Sequence, residues 1–243
     1  MKAQSQPAVA VDKQALQPSA ARRVYQDLRQ QIIDMALLPG TRINEKDIAQ
    51  THGTSRTPVH EAVQRLADEG LIEIMPRVGT FVARIPLDTL EEAMLVRTAL
   101  ELAIAAKAAE RADAPAILRL QDILKAQRYC AQQGDTRGFH QGDEAFHAAL
   151  AEISGHPGVW PMVLQAKTQI DRYRRLTLPM PGRMEGVVDE HEAVVAAIAN
   201  NDSNAATAAM RVHLDHVLPI LEVTRTMRPE YFIAHLPTAT PPR

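Results

Sequence analysis

The run Ser55-Arg56-Thr57-Pro58-Val59-His60-Glu61-Ala62-Val63-Gln64-Arg65-Leu66-Ala67-Asp68-Glu69-Gly70-Leu71-Ile72 leaves this chain few ways to fold. Proline lacks an N–H and fixes φ, so in a helix it is tolerated only in the first turn. Thr57 as N-cap puts Pro58 at the first helical position, and Ser55 as N-cap still keeps it within the first turn. From there Val59, Ala62, Val63, Leu66 and Ala67 recur at i, i+3, i+4, i+7 and i+8, which is one apolar helix face. Gly70 stops the helix. Two short β-like runs follow, 71–75 and 80–83, joined by Pro76-Arg77-Val78-Gly79, and these predict a hairpin with a basic tip.

Two helices precede this unit. Val24, Leu28, Ile32 and Met35 mark the first, which stops at Leu38-Pro39-Gly40. The second covers roughly 45–51 with Ile48 and Ala49 inward, and Gly53 breaks it. Three helices and a hairpin in this order form a winged helix-turn-helix. The polar side of the third helix presents Arg56, His60 and Gln64 at i, i+4 and i+8. Such a stripe can lie in a major groove with its N-terminal residues at base edges. The unbonded N–H groups near Ser55 and Thr57, at the positive end of the helix, suit a phosphate, and Lys46 and Arg77 are placed for further backbone contacts. Polar stripes are common on surface helices, so the order of elements and the turn chemistry carry the reading.

Charge is distributed in the same sense. Residues 1–85 hold 11 Lys/Arg against 9 Asp/Glu, and the remainder 16 against 20. The N-terminal part is mildly positive although the whole chain is at −2. The single cysteine, Cys130, precludes an intrachain disulfide and reads as a buried or half-buried apolar residue. Neither a signal-peptide core nor an apolar run of transmembrane length is present, so a cytoplasmic protein without membrane contact is expected. The fold class expected is mainly α. Residues 1–19 form a flexible arm, 20–85 the DNA-binding domain, 86–226 an all-helical bundle of about six helices, and 227–243 a proline-rich tail that packs loosely.

The expected bundle helices are 87–111, 113–133, 135–153, 157–177, 184–200 and 203–224, broken at Asp113, Gly134, Gly155 to Pro157, Pro179 to Gly182 and Asn200 to Asp202. Asp143 and His147 are i, i+4 and share a face with Phe139, Phe146 and Leu150. His191 lies within the stripe Val187, Val188, Val194, Val195 and Ile198; His213 lies with Ala206, Ala209, Val217 and Ile220. Burying these groups without partners is costly. A shared divalent metal removes that cost, with Zn²⁺ the first candidate and Ni²⁺, Mn²⁺ or Fe²⁺ as others; separate hydrogen-bonded core histidines also would. His140 and His216, three residues from proposed ligands, read as neighbours of the cluster or solvent-facing; His52, His156 and His235 read as loop or terminal. Arg97 and Glu101 are i, i+4 on the stripe of Leu90, Met94, Ile104 and Ala108, as a structural ion pair or as an arginine aimed into a cavity to hold a carboxylate.

The segment around 55–72, with Leu28, Pro39-Gly40-Thr41, Glu45, Ile48-Ala49, Gly79 and Val82, resembles the GntR family DNA-binding domain. The resemblance implies DNA-contacting roles for Lys46, Ser55, Arg56, Thr57, His60, Arg77 and Gly79. Two positions depart from the pattern: the family usually has arginine where His60 stands and an apolar residue where Thr54 stands. Residues 88–220 resemble the FCD ligand-binding domain of the FadR subfamily, through Arg97 and Glu101, Asp143 to His147, His191 with Ala196-Ala197-Ile198, and Ala209 to Leu214. In that family the Asp and three His bind a divalent metal, often with an organic acid beside it, and all four positions are filled here. A six-helix count resembles the VanR-type branch. The implied protein is a homodimeric regulator of a double-stranded DNA operator, in sense a repressor, responding to a small carboxylate. The rivals are a direct metal sensor and a helical metalloenzyme with a DNA-binding appendage. The second is weakened because His191-Glu192 continues Ala193-Val194-Val195 and lacks the second His of H-E-x-x-H.

Overall fold

The structure, a computed structural model, describes residues 19–218 and 221–234. The expected arm up to residue 18, the tail from 235, Ile220 and His235 lie outside the described residues. In the head, α1 (Ala20–Ile33) starts at Ser19, whose side chain accepts from the Arg22 N–H, and α2 (Glu45–Thr51) starts at Asn44, which accepts from the Lys46 N–H. α3 (Arg56–Asp68) has Ser55 as N-cap. Pro58 is therefore the third helical residue, where its missing N–H is still not needed. β1 (Ile72–Met75) and β2 (Gly79–Val82) pair antiparallel, from Ile72 opposite Val82 to Met75 opposite Gly79. The turn between them holds Arg77 at φ 66° and Gly79 at φ 148°. A Cβ on Gly79 would stand 3.2 Å from the Phe81 ring, so glycine is needed there. Val24, Leu28, Ile32, Val59, Val63, Leu66, Leu71 and Val82 form the head's core.

The bundle comprises α4 (Leu87–Arg111), α5 (Ala114–Gln133), α6 (Thr136–Ile153), α7 (Val159–Ala166), α8 (Thr168–Thr177), α9 (Arg183–Ala199), α10 (Ser203–Asp215) and α11 (Leu221–Met227). Three of its helices, α5, α6 and α10, start at capping aspartates: Asp113 accepts from the Ala116 N–H, Asp135 from Gly138 and Asp202 from Ala205. Gly134, at φ 66°, ends α5 in the left-handed conformation. α10 packs against both α4 and α9, and α5 against α6 and α9. Their shared core includes Leu90, Ile104, Phe146, Leu150, Val194, Ile198, Met210 and Leu214. Cys130 is half-buried. Among the described residues no helix is long and apolar enough to cross a membrane.

The class is mainly α as expected, but two of the six expected bundle helices are divided, giving eight among the described residues. The run 157–177 breaks at Lys167, which ends α7 and begins α8 at φ −82° and ψ 2°. Lysine is a good helix former; here its Nζ is buried between Glu144 Oε1 at 2.8 Å and Asp171 Oδ1 at 2.5 Å. The run 203–224 breaks after Asp215, close to Leu218-Pro219, because the residue before proline disfavours the helical region. The segment after Met227 also differs from a loose tail. β3 (Ile85–Pro86) and β4 (Phe232–Ile233) pair in parallel, and Phe232 is buried in the bundle core. Burial of that ring accounts for the docking, and a two-residue strand leaves no periodic trace in the sequence.

Candidate DNA-binding face and buried ligand cluster

On α3 the apolar face is spent on the head's core, with Val59, Ala62, Val63 and Leu66 buried. Arg56, His60 and Gln64 are exposed together on the opposite side, as are Ser55 and Thr57 at its start. Ser55 makes no side-chain cap bond, so its hydroxyl does not close off the N–H groups of the first turn. Lys46 is exposed on α2 and Arg77 at the tip of the wing. Glu45 is a member the sequence reading did not use: its Oε1 lies 3.1 Å from His60 Nδ1. This contact joins the start of α2 to the α3 stripe. The head is braced at the far end of α3, where Tyr25 Oη donates to Glu69 Oε1 and Arg29 Nε to Glu69 Oε2.

Inside the bundle, Asp143 and His147 of α6, His191 of α9 and His213 of α10 are buried and converge, with one potential ligand atom from each within 4.8 Å of all the others. His191 Nε2 and His213 Nε2 are 3.4 Å apart, and Asp143 Oδ1 is 3.7 Å from His191 Nε2. Donors bound at about 2.1 Å to one ion stand roughly 3–4.2 Å apart, so the cluster fits a divalent cation with little rearrangement. The outer ring nitrogens fit it too. His191 Nδ1 is 3.0 Å from Gln127 Oε1, and His213 Nδ1 is 2.8 Å from Glu190 Oε2. His147 Nδ1 is 2.5 Å from Glu101 Oε2, too bent for a good hydrogen bond. Acceptors at Nδ1 favour a proton there and turn the Nε2 lone pairs inward. Burial pushes the His191 pKa well below its ordinary value and that of His213 down to about 4, so both rings are neutral near pH 7. Two neutral rings facing each other through lone pairs are a poor core contact and a good ligand pair.

Gln127 of α5, Glu190 of α9 and Arg174 of α8 are functional neighbours that the sequence reading missed. Arg174 donates from both terminal nitrogens to the two oxygens of Asp143. Burial opposes ionisation of Asp143, but the guanidinium holds its pKa well below the usual carboxylate range. Burial likewise opposes charge on Glu190, yet the hydrogen bond from His213 brings its pKa to about 2. Arg97 and Glu101 are almost fully buried beside the cluster. Arg97 Nε donates to Glu101 Oε1 at 2.5 Å, and its Nη2 stands 3.4 Å from His147 Nε2. Arg97 Nη1 is buried without a hydrogen-bond partner. Arg97 thus makes the ion pair with Glu101 and keeps one buried terminal nitrogen without a partner. Phe146 stacks on His191 at 4.0 Å, and Trp160 of α7 lies parallel to His147 at 5.8 Å, which fixes both rings.

His216 is solvent-facing and shares Glu190 with His213. His140 is buried apart from the four, beside Glu144 and Asp171, with its pKa lowered to about 4 by burial. Lys167 Nζ bridges those two carboxylates and supplies the cation there.

A winged head followed by a helical bundle with a buried cluster of ligand-type side chains is the architecture expected of a DNA-binding transcriptional regulator. Residues 20–82 match the profile of bacterial regulatory proteins of the gntR family, and residues 92–216 match the FCD domain. The chain belongs to the GntR family and has the FadR-like architecture of a GntR head joined to an FCD domain. It is 36% identical over 211 residues to an uncharacterized HTH-type transcriptional regulator in an unstable DNA locus of Streptomyces ambofaciens, covering 87% of this chain and 89% of the relative. It is 28% identical to the HTH-type transcriptional repressor RspR of Escherichia coli K12, covering 87% and 92%. A probable D-xylose utilization operon transcriptional repressor of Paenarthrobacter nicotinovorans is 27% identical, covering 86% and 92%. Among solved structures, E. coli McbR/YncC shares the fold with a TM-score of 0.71 at 24% identity, covering 85% of this chain and 99% of that one.

Proposed function

We propose that this regulator is a homodimeric repressor that senses a small organic acid. Residues 20–85 would read one half of an inverted repeat through Arg56, His60, Thr57 and Ser55, with Lys46, Arg77 and Gly79 at the phosphates. Residues 86–226 would hold a divalent metal on Asp143, His147, His191 and His213, Zn²⁺ before Ni²⁺, Mn²⁺ or Fe²⁺. Repression is supported by relatives whose names describe repressors. The observation that carries the sensing role is the convergence of these four donors beside the buried, unpartnered Arg97 Nη1.

The metal, when bound, supplies positive charge that favours an anion. The chain's own residues do the rest. Gln127 and Glu190 orient His191 and His213, and Arg174 holds the Asp143 carboxylate in place. Glu101 holds Arg97 by its Nε, leaving Nη1 to donate to a carboxylate oxygen. Arg97, Arg174 and Arg183 stand against Glu101, Asp143 and Glu190, so the cluster's formal charges balance before a metal is added. A neutral sugar would leave Arg97 Nη1 without a strong acceptor.

A thermal-shift screen of carboxylic acids, sugar acids, amino acids and neutral sugars, run on metal-replete and metal-stripped protein, tests this. The expected result is stabilisation by a carboxylate, lost on stripping and lost in Arg97→Ala, whose metal content stays near wild type. A hit that is uncharged, or one that survives both changes, contradicts the site chemistry.

A further inference from the structure

The interface between head and bundle is concentrated on one short helix. Four side-chain hydrogen bonds among the described residues join the two parts with their bundle end on α8. Arg29 Nη2 donates to Thr168 Oγ1 at 3.1 Å, and Gln169 Nε2 to the Gly70 carbonyl at 3.3 Å. Arg172 Nη2 donates to the Ala83 carbonyl at 2.5 Å, and Arg175 Nη2 to Asp34 Oδ1. Thr168, Gln169, Arg172 and Arg175 fall at i, i+1, i+4 and i+7, one face of the helix. The bonds reach the body and end of α1, the residue that closes α3, and the residue after β2. They therefore hold α1, which packs on α3, and the chain at the end of α3.

The opposite face of α8 looks inward. Ile170 is buried in the bundle core, and Arg174, four residues on, grips both oxygens of Asp143. Arg172 and Arg174 are among the most buried charged residues described. A side chain this constrained transmits displacement, because a close-packed interior has little slack. α8 is separated from α7 at Lys167, and a cleft of about 1150 Å³ lined by residues of α1, α6, α7 and α8 lies beside it.

We propose that α8 is the strap by which the DNA-binding head reads the state of the buried cluster, with Arg174 at its inner end and Gln169, Arg172 and Arg175 at its outer end. The inference rests on the metal reading above and adds a route from that site to the DNA. Asp143 Oδ1 is at once the acceptor of Arg174 and the carboxylate atom nearest His191 Nε2. Any shift of this carboxylate toward the imidazoles moves the guanidinium with it. The two states then differ in a named contact, as coupling between sites requires.

The test is hydrogen exchange on the full chain, with and without Zn²⁺, alongside a measurement of Zn²⁺ uptake. Exchange in wild type should change in α8 and in the head around Asp34, Gly70 and Ala83. In the double variant Gln169→Ala/Arg175→Ala, Zn²⁺ uptake and the α8 response should persist while the head response is lost. Arg174→Lys keeps the charge but cannot hold both carboxylate oxygens; uptake should persist there, with the responses of α8 and the head both reduced. Uptake with an unresponsive α8, or a head response of wild-type size in both variants, overturns the strap alone. Failure of wild type to take up Zn²⁺ overturns the strap together with the metal reading.

Discussion

At the scale of single residues, the DNA-binding stripe proposed on α3 separates side chains that can carry sequence information from those that can only position. Arg56 begins the exposed stripe at the N-terminal end of α3, whereas Lys46 sits on α2. Replacing Arg56 with Ala should remove discrimination between operator and random duplex, at roughly 1–3 kcal/mol for the lost base contact. Lys46→Ala should weaken binding to both duplexes alike and flatten its salt dependence. Mobility-shift titrations on the two duplexes distinguish the variants, and an Arg56→Ala protein that still discriminates fully would remove α3 from the base edges. Legibility differed sharply among residues. Asp143, His147, His191 and His213 could be read because each is a ligand-type side chain on an otherwise apolar stripe. Arg174 could not: an arginine between Tyr173 and Arg175 looks like a solvated face, and its partner Asp143 is on another helix. Gln127 and Glu190 were hidden for the same reason, since a hydrogen bond across helices leaves no spacing signal.

At the scale of elements, helix starts and stops were legible wherever the chain uses local chemistry. Asp113, Asp135 and Asp202 are caps, and Gly134 takes the left-handed conformation that glycine tolerates. The break at Lys167 has no local signature; it coincides with a buried ion pair of Lys167 with Glu144 and Asp171. The pairing of β3 with β4 is nonlocal as well. Its anchor is Phe232, buried against the bundle. Phe232→Ala should therefore lower stability by on the order of 3 kcal/mol, the lower end for a buried phenylalanine because the site lies at the end of the bundle. The thermal midpoint should drop by several degrees; a midpoint equal to wild type would mean that the segment is not docked in solution.

At the scale of the whole molecule, a head that reads DNA and a bundle that gathers four ligand-type side chains are joined through one helix. The account of the molecule as a sensor depends on that cluster holding a metal, since without one two neutral imidazoles face each other in the core and Arg97 Nη1 has no acceptor. The most direct measurement is the elemental content of the full-length protein after dialysis, in wild type and in His191→Ala and His213→Ala. The account predicts roughly one divalent metal per chain in wild type and loss of most of it in either variant, while all three retain helical circular dichroism. Wild-type protein that stays metal-free after reconstitution with Zn²⁺, Ni²⁺, Mn²⁺ and Fe²⁺ would contradict it and leave the four residues as a hydrogen-bonded core cluster.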